Sequence, residues 1–338
     1  MNRHRRRRAT STPPAIGATG EPRRTALAWA ELLRLPALFT VPGDALAGAA
    51  TTAARPNSRT LLAIGSSLCL YEAGMALNDW ADRAEDAAER PHRPLPSGRV
   101  HPAAALTAAC ALTGAGLALA ARAGRPALTV AAPLAATVWA YDLALKHTPA
   151  GPAAMATARA LDLLLGAAAT TGHTREALPS AALLGTHTLA VTAVSRQETR
   201  GGSPLAPLAA LTTTALLSRL LSRRPTGSPA GGGSADAHGL EGRRHAAALA
   251  VGGAGSPGAR ALSTALAAAY AATAARPYLH ATLNPSPPLT QRAVGGGIRA
   301  TIPLQAALCA RSGAARTALF VAGLTALGRR FGRKVSVT

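Results

Sequence analysis

The chain has 338 residues, enough for one large or two ordinary domains; 48% are hydrophobic, 3% aromatic and 15% charged. Globular domains carry about 25% charged residues and a richer aromatic core, so this composition argues against a water-soluble protein. The formal net charge of +21 would suit a nucleic-acid partner, but the basic residues fall between apolar runs and Lys is scarce, which argues for no nucleic acid and for the basic loops of a membrane protein.

Residues 1–24 open with MNRHRRRR. No apolar stretch with a cleavage site follows, so they read as a disordered basic cytoplasmic tail and not as a signal peptide. A membrane-crossing helix needs about 20 mainly apolar residues. Runs of that kind lie at about 26–50, 59–77, 101–121, 126–145, 152–171, 178–195 and 204–221. Those at 101–121 and 178–195 contain no Asp, Glu, Lys or Arg, whereas a soluble amphipathic helix would show a polar face. Residues 223–245, rich in Gly, Ser and Pro, read as a flexible insertion. Further apolar runs sit near 258–280, 293–311 and 314–330, and 332–338 form a basic C-terminal tail.

The expected fold is therefore all-α, a polytopic transmembrane helical bundle of about nine spans over residues 25–331. Its many small residues suit close helix packing in lipid. The basic tail places the N-terminus in the cytoplasm, with the chain in the inner (plasma) membrane. Arg83, Arg90, Arg93 and Arg99, then Lys146 and His147, then Arg196 and Arg200 fall in loops that agree with one orientation. Arg329, Arg330, Arg333 and Lys334 would be cytoplasmic with ten spans and external with nine. Cys69, Cys110 and Cys309 sit in apolar runs without CxxC spacing and read as small buried thiols.

The strongest local signal runs from Asn78 to Asp86. Asn78, Asp82 and Asp86 are spaced i, i+4 and i+8, so on one helix they share a face, which Asp79 borders. Converging carboxylates at the end of an apolar helix repel one another, and a divalent cation relieves that repulsion. Mg²⁺ favours such oxygens and bridges to phosphate. In the following loop, Glu89 to Arg99, alternating Pro and Arg stiffen the backbone and present guanidinium groups suited to phosphate oxygens. Among the acidic and basic residues inside apolar runs, Glu31, Arg34, Asp44, Glu72, Arg159 and Asp162 stand out. Each is a functional candidate by default. Arg159 and Asp162 are expected to pair within the fifth span; Asp44 and Glu72 either line a cavity or bond between helices. Asp142 and Lys146, four apart, can pair on one face.

The tract from Asn78 to Gly98 resembles the NDxxDxxxD…RPLPSG region of the UbiA superfamily of intramembrane prenyltransferases. The resemblance implies a bundle of about nine spans, a lateral opening to lipid, and a polar cavity capped by cytoplasmic loops. It also implies Mg²⁺ as cofactor and an isoprenyl diphosphate and the lipid bilayer as partners. Asn78, Asp82 and Asp86 would hold the metal, with Asp79, Asp82 and Asp86 as the catalytic acids. Arg93, Lys146, Arg196, Tyr141 and Glu198 would contact the diphosphate. Tyr141 and Lys146 are five apart, where the family often has four. Ser195 to Gly202 keeps one carboxylate, Glu198, where the family has a second acidic motif, and with Ile302 to Ala307 it resembles the EboC-like branch. The implied reaction is transfer of an isoprenyl group to an aromatic or lipid-like acceptor. Alternatives are a terpene cyclase of the same superfamily and a non-catalytic membrane component that binds a polyprenyl phosphate.

Overall fold

The computed structural model describes residues 21–198, 203–223 and 257–335. The start of the basic tail, Arg200 with its two glycines, the insertion beyond residue 223 and residues 336–338 lie outside them.

The described residues are mainly helical, with no strand among them. α1 spans Glu21–Leu32, a 3₁₀ turn Leu35–Thr40, α2 Val41–Thr51 and α3 Ser58–Ala81. A short α4 (Arg83–Glu89) is followed by α5 (Pro102–Ala123). α6 (Arg125–Ala140) runs into a π turn, Tyr141–Leu145, before α7 (Gly151–Thr171), α8 (Leu178–Ser195) and α9 (Leu205–Ser222). After residue 256 come α10 (Pro257–Leu283), α11 (Pro287–Arg311) and α12 (Ala315–Val335). Among the described residues, six of these helices are long and apolar enough to cross a membrane, α3 and α5 to α9.

The expected first span is not one helix. α1 stops at Leu32, Arg34 adopts a left-handed backbone (φ 48°), and a 3₁₀ turn leads into α2. Pro36 and Pro42 lack the N–H that a continuous helix would need, so the chain turns and restarts. The restarted piece packs tightly on α7: a Cβ at Gly166 would stand 2.1 Å from the Ala45 carbonyl oxygen, and one at Gly48 1.9 Å from that of Leu163. Only glycine allows the two backbones to approach so closely.

Long-range contacts fix the direction of each element. Asn57 caps α3 through the Arg59 and Thr60 amides, and its Nδ2 donates to the Thr170 carbonyl at 3.2 Å. The start of α3 and the end of α7 therefore share one end of the bundle. At the other end Arg34 lies 3.3 Å from Asp79, and Lys146 2.5 Å from Asp82. Ser218 donates to the Ala267 carbonyl at 3.2 Å, tying α9 to α10. The buried His187 bonds both the Tyr270 hydroxyl (3.2 Å) and the Gly297 carbonyl (3.1 Å), tying α8 to α10 and α11. Gly328 of α12 lies against Phe39. Phe39 follows Arg34 closely in the chain, so this contact returns α12 to the end that carries Asp82.

The core is built mainly of Ala and Leu. Cys309 is buried and Cys69 half-buried, but Cys110 is exposed on α5, against the expectation of three buried thiols.

Candidate active site

One cavity of about 530 Å³ opens among α3, α6, α7 and α8. Its α3 wall is Ser67, Leu70, Tyr71, Gly74, Met75 and Asn78, with Asp82 just past the helix end. These positions are one, three or four residues apart, so a single helical face points inward. At 1.5 Å per residue the stripe is about 22 Å long. One end is polar, with Asn78, Asp82, Lys146 and Arg196. The middle is apolar, walled by Leu70, Met75, Val138 and Met155, and the far end is polar again, with Ser67, Arg159 and Asp162.

At the first end, Lys146 Nζ sits 2.5 Å from the Asp82 carboxylate, and His147 Nε2 is 3.8 Å away. Asp142 does not pair with Lys146 as the spacing suggested; it accepts a 3.1 Å bond from Asn78 Nδ2. The π turn accounts for this. The Lys146 amide bonds the Tyr141 carbonyl five residues back, at 2.9 Å. The wider turn absorbs the extra residue between Tyr141 and Lys146, and both reach the cavity. Arg196 donates to the Thr148 carbonyl, joining the loop after α8 to the loop before α7. Glu198 also lines the cavity. Partial burial raises its carboxyl above the ordinary value, and the Arg90 charge opposes that rise.

Asp79, Asp86 and Arg93 do not line this cavity. Asp86 is buried and held by Arg93 at 2.7 Å and Arg90 at 3.6 Å. Asp79 lies between Arg34 (3.3 Å) and Arg93 (3.7 Å). The helix is interrupted at Asp82, whose backbone (φ −85°, ψ 3°) closes α3 before α4 begins. The proline–arginine loop then folds back, with the Val100 amide on the Pro94 carbonyl, and its arginines capture Asp86 and Asp79. Of the acidic tract, Asn78 and Asp82 thus reach the cavity.

The donor set suits a hard cation. Ligand atoms of Asp82, Glu85 and His147 lie within 4.8 Å of one another, and Asp82 already carries a cationic partner in Lys146. In the cavity wall the Asp82 carboxylate and the Asn78 amide oxygen are the hard oxygens that Mg²⁺ takes, whereas His147 offers a nitrogen and Glu85 lies outside the lining.

At the far end, Arg159 does not pair with Asp162. Its Nη1 lies 3.0 Å from Asp44 Oδ2, and Gln305 Nε2 donates to Asp44 Oδ1 at 2.6 Å and to the Thr40 carbonyl at 2.7 Å. Asp162 accepts from Ser67. Asp44 therefore bonds between helices. Glu72 stands one residue off the cavity stripe, buried, with no hydrogen-bond partner for either carboxylate oxygen. Sequence reasoning missed Ser67, Met75, Met155 and Thr192 as lining residues. Stepping back from Asn78 by three and four would have found the first two.

Residues 37–218, more than half of the chain, match the UbiA prenyltransferase family. A digeranylgeranylglyceryl phosphate synthase of Methanopyrus kandleri is 35% identical over 115 residues, or 34% of this chain and 41% of that protein. The chain thus spans well under half the length of this curated relative. The solved structure of a digeranylgeranylglyceryl phosphate synthase has the same fold, with a TM-score of 0.56 at 16% identity over 86% of this chain and 99% of the other. So does a UbiA homologue from Archaeoglobus fulgidus bound to DMAPP and Mg²⁺, with a TM-score of 0.50 at 15% identity over 81% and 98%. The chain is a multi-pass, all-helical membrane protein that belongs to the UbiA prenyltransferase family.

Proposed function

We propose that this protein transfers an isoprenyl group from a prenyl diphosphate to a lipid-like or aromatic acceptor within the plasma membrane, with Mg²⁺ as cofactor and its N-terminus in the cytoplasm. One observation carries the reading: a single cavity joins a charged end, with Asn78, Asp82, Lys146 and Arg196, to an apolar chamber. A diphosphate with a hydrocarbon tail has those two halves. The name of the Methanopyrus kandleri relative and the DMAPP and Mg²⁺ in the Archaeoglobus fulgidus homologue support it. Placement in the EboC-like branch rests on Ser195 to Gly202 and Ile302 to Ala307.

Asn78 and Asp82 would hold the metal, which when bound supplies Lewis-acid neutralisation of the departing diphosphate. Breaking the C–O bond leaves negative charge on the pyrophosphate, and Lys146 and Arg196 stabilise it. Tyr141 and Glu198 line the same end. Asp79 and Asp86 act by holding Arg34 and Arg90 against the mouth, with Arg93 bridging the two carboxylates behind it. The apolar walls shield the allylic carbon from water until the acceptor attacks.

Asp82→Ala tests the assignment. Mg²⁺-dependent pyrophosphate release from a panel of prenyl diphosphates should vanish in a variant whose melting is preserved. Release at the wild-type rate would remove Asp82 from the site. Products formed without any acceptor would instead identify a cyclase.

A further inference from the structure

A second cavity, of about 290 Å³, lies between α10 and α11, lined by Arg276, Pro277, His280, Leu289, Arg292 and Arg299. All four basic side chains are exposed. None of the ion pairs among the described residues involves them. Their own sequence region cannot neutralise them, since the chain has no Asp or Glu after Glu241.

Close backbone packing assembles the cluster. A Cβ at Gly296 would meet Pro277 at 2.8 Å, so glycine lets α11 press against α10 beside Arg276. A Cβ at Gly295 would stand 3.1 Å from Arg299 Nη1. The Arg299 guanidinium is therefore laid back along α11 towards Arg292 and the helix start. That start, and the end of α10, share the end of the bundle that carries Asp82. Arginines on a lipid-facing surface reach towards the headgroup layer in this way.

We propose that this groove binds the phosphate headgroup of an anionic phospholipid in the leaflet on the Asp82 side. Guanidinium forks bond phosphate oxygens in pairs, and basic pockets between membrane helices take anionic headgroups. Leu289 and Pro277 add an apolar rim that suits the glycerol and acyl portion and does nothing for a free anion.

The test uses the full chain in neutral detergent, titrated with phosphatidylglycerol and read by native mass spectrometry against phosphatidylcholine. One phosphatidylglycerol should bind saturably and in preference. The triple variant R276Q/R292Q/R299Q should bind it roughly a hundredfold more weakly, at the usual contribution of each arginine near a charged headgroup. R122Q/R125Q/R175Q, with the same change in net charge at the other end of the bundle, should bind within twofold of wild type. Leu289→Trp fills the groove at constant charge and should also lose the lipid, which keeps the test decisive if the triple variant misfolds. Equal losses in the two triple variants, or unchanged binding in Leu289→Trp, would overturn the site. Displacement by millimolar inorganic phosphate would overturn the lipid as its occupant.

Discussion

Replacing Asp44 by Asn removes one charge from the far end of the cavity and little else. Asp44 is fully buried, 3.0 Å from Arg159, and accepts from Gln305 at 2.6 Å. The Asn carbonyl can still accept from Gln305, so the lost quantity is neutralisation of Arg159. Removing one member of a buried ion pair costs about 3–5 kcal/mol, because the other is left uncompensated. Arg159 is 15% exposed, to the cavity, so the lower figure applies: Asp44→Asn should cost about 3 kcal/mol. Arg159→Met should cost a similar amount, leaving the Asp44 carboxylate with Gln305 and the neighbouring Asp162 carboxyl. The double variant should return to within about 1 kcal/mol of wild type, since a buried pair replaced whole is often neutral. The assay is helix unfolding by circular dichroism in mixed micelles of rising SDS content. A coupling below about 0.5 kcal/mol, the usual error of additivity for independent sites, would refute the pairing and show that Arg159 is neutralised elsewhere.

Deleting Ala144, an exposed residue of the π turn, should convert the turn to ordinary helix while keeping Lys146 on the Tyr141 carbonyl; pyrophosphate release should stay within about tenfold of wild type. Inserting an alanine there instead should rotate Lys146 away by about 100° and lose at least about a hundredfold, the loss expected when a leaving-group donor is removed. Gly166→Ala would press a Cβ against the Ala45 carbonyl and should destabilise by about 1–3 kcal/mol, measured in the same micelles. Glu198, whose carboxyl burial raises above its ordinary 4.5, binds its proton more tightly folded than unfolded. Its contribution to stability is therefore full below that ordinary value and lost as pH rises through the folded one. Glu198→Gln should therefore gain stability relative to wild type between acid and neutral pH, and a difference constant across pH would contradict this.

Much of the fold was legible because lipid imposes a simple rule. Runs such as 101–121, without a single charge, have no soluble use, and α5 lies where that run does. The first span was misread because hydropathy sees composition and not backbone: 26–50 is apolar enough, yet Pro36 and Pro42 break it into a turn and a short helix. The acidic tract was half legible. Its order gave Asn78 and Asp82, but the face shared with Asp86 assumes an unbroken helix, and the interruption at Asp82 together with Arg93 takes Asp86 out of the cavity lining. The five-residue step from Tyr141 to Lys146 looked like a departure, yet a π turn makes it equivalent to the shorter spacing.

The far end of the cavity was the least legible part, for a reason of distance along the chain. Asp44, Arg159 and Gln305 lie on three helices and are separated by more than a hundred residues each way, so no local period links them. In the sequence Arg159 had a nearer acidic neighbour in Asp162, three residues on, and nothing linked either to Gln305. Together Asp44, Arg159 and Gln305 solve one problem: a charge that lines the cavity must be neutralised in lipid without closing the chamber. Asp44 does so from behind the wall, and the glycine contacts between α2 and α7 hold it there. A substitution at Gly48 or Gly166 should therefore alter the chamber as well as stability, because α2 carries Arg159's counterion on the same close contact.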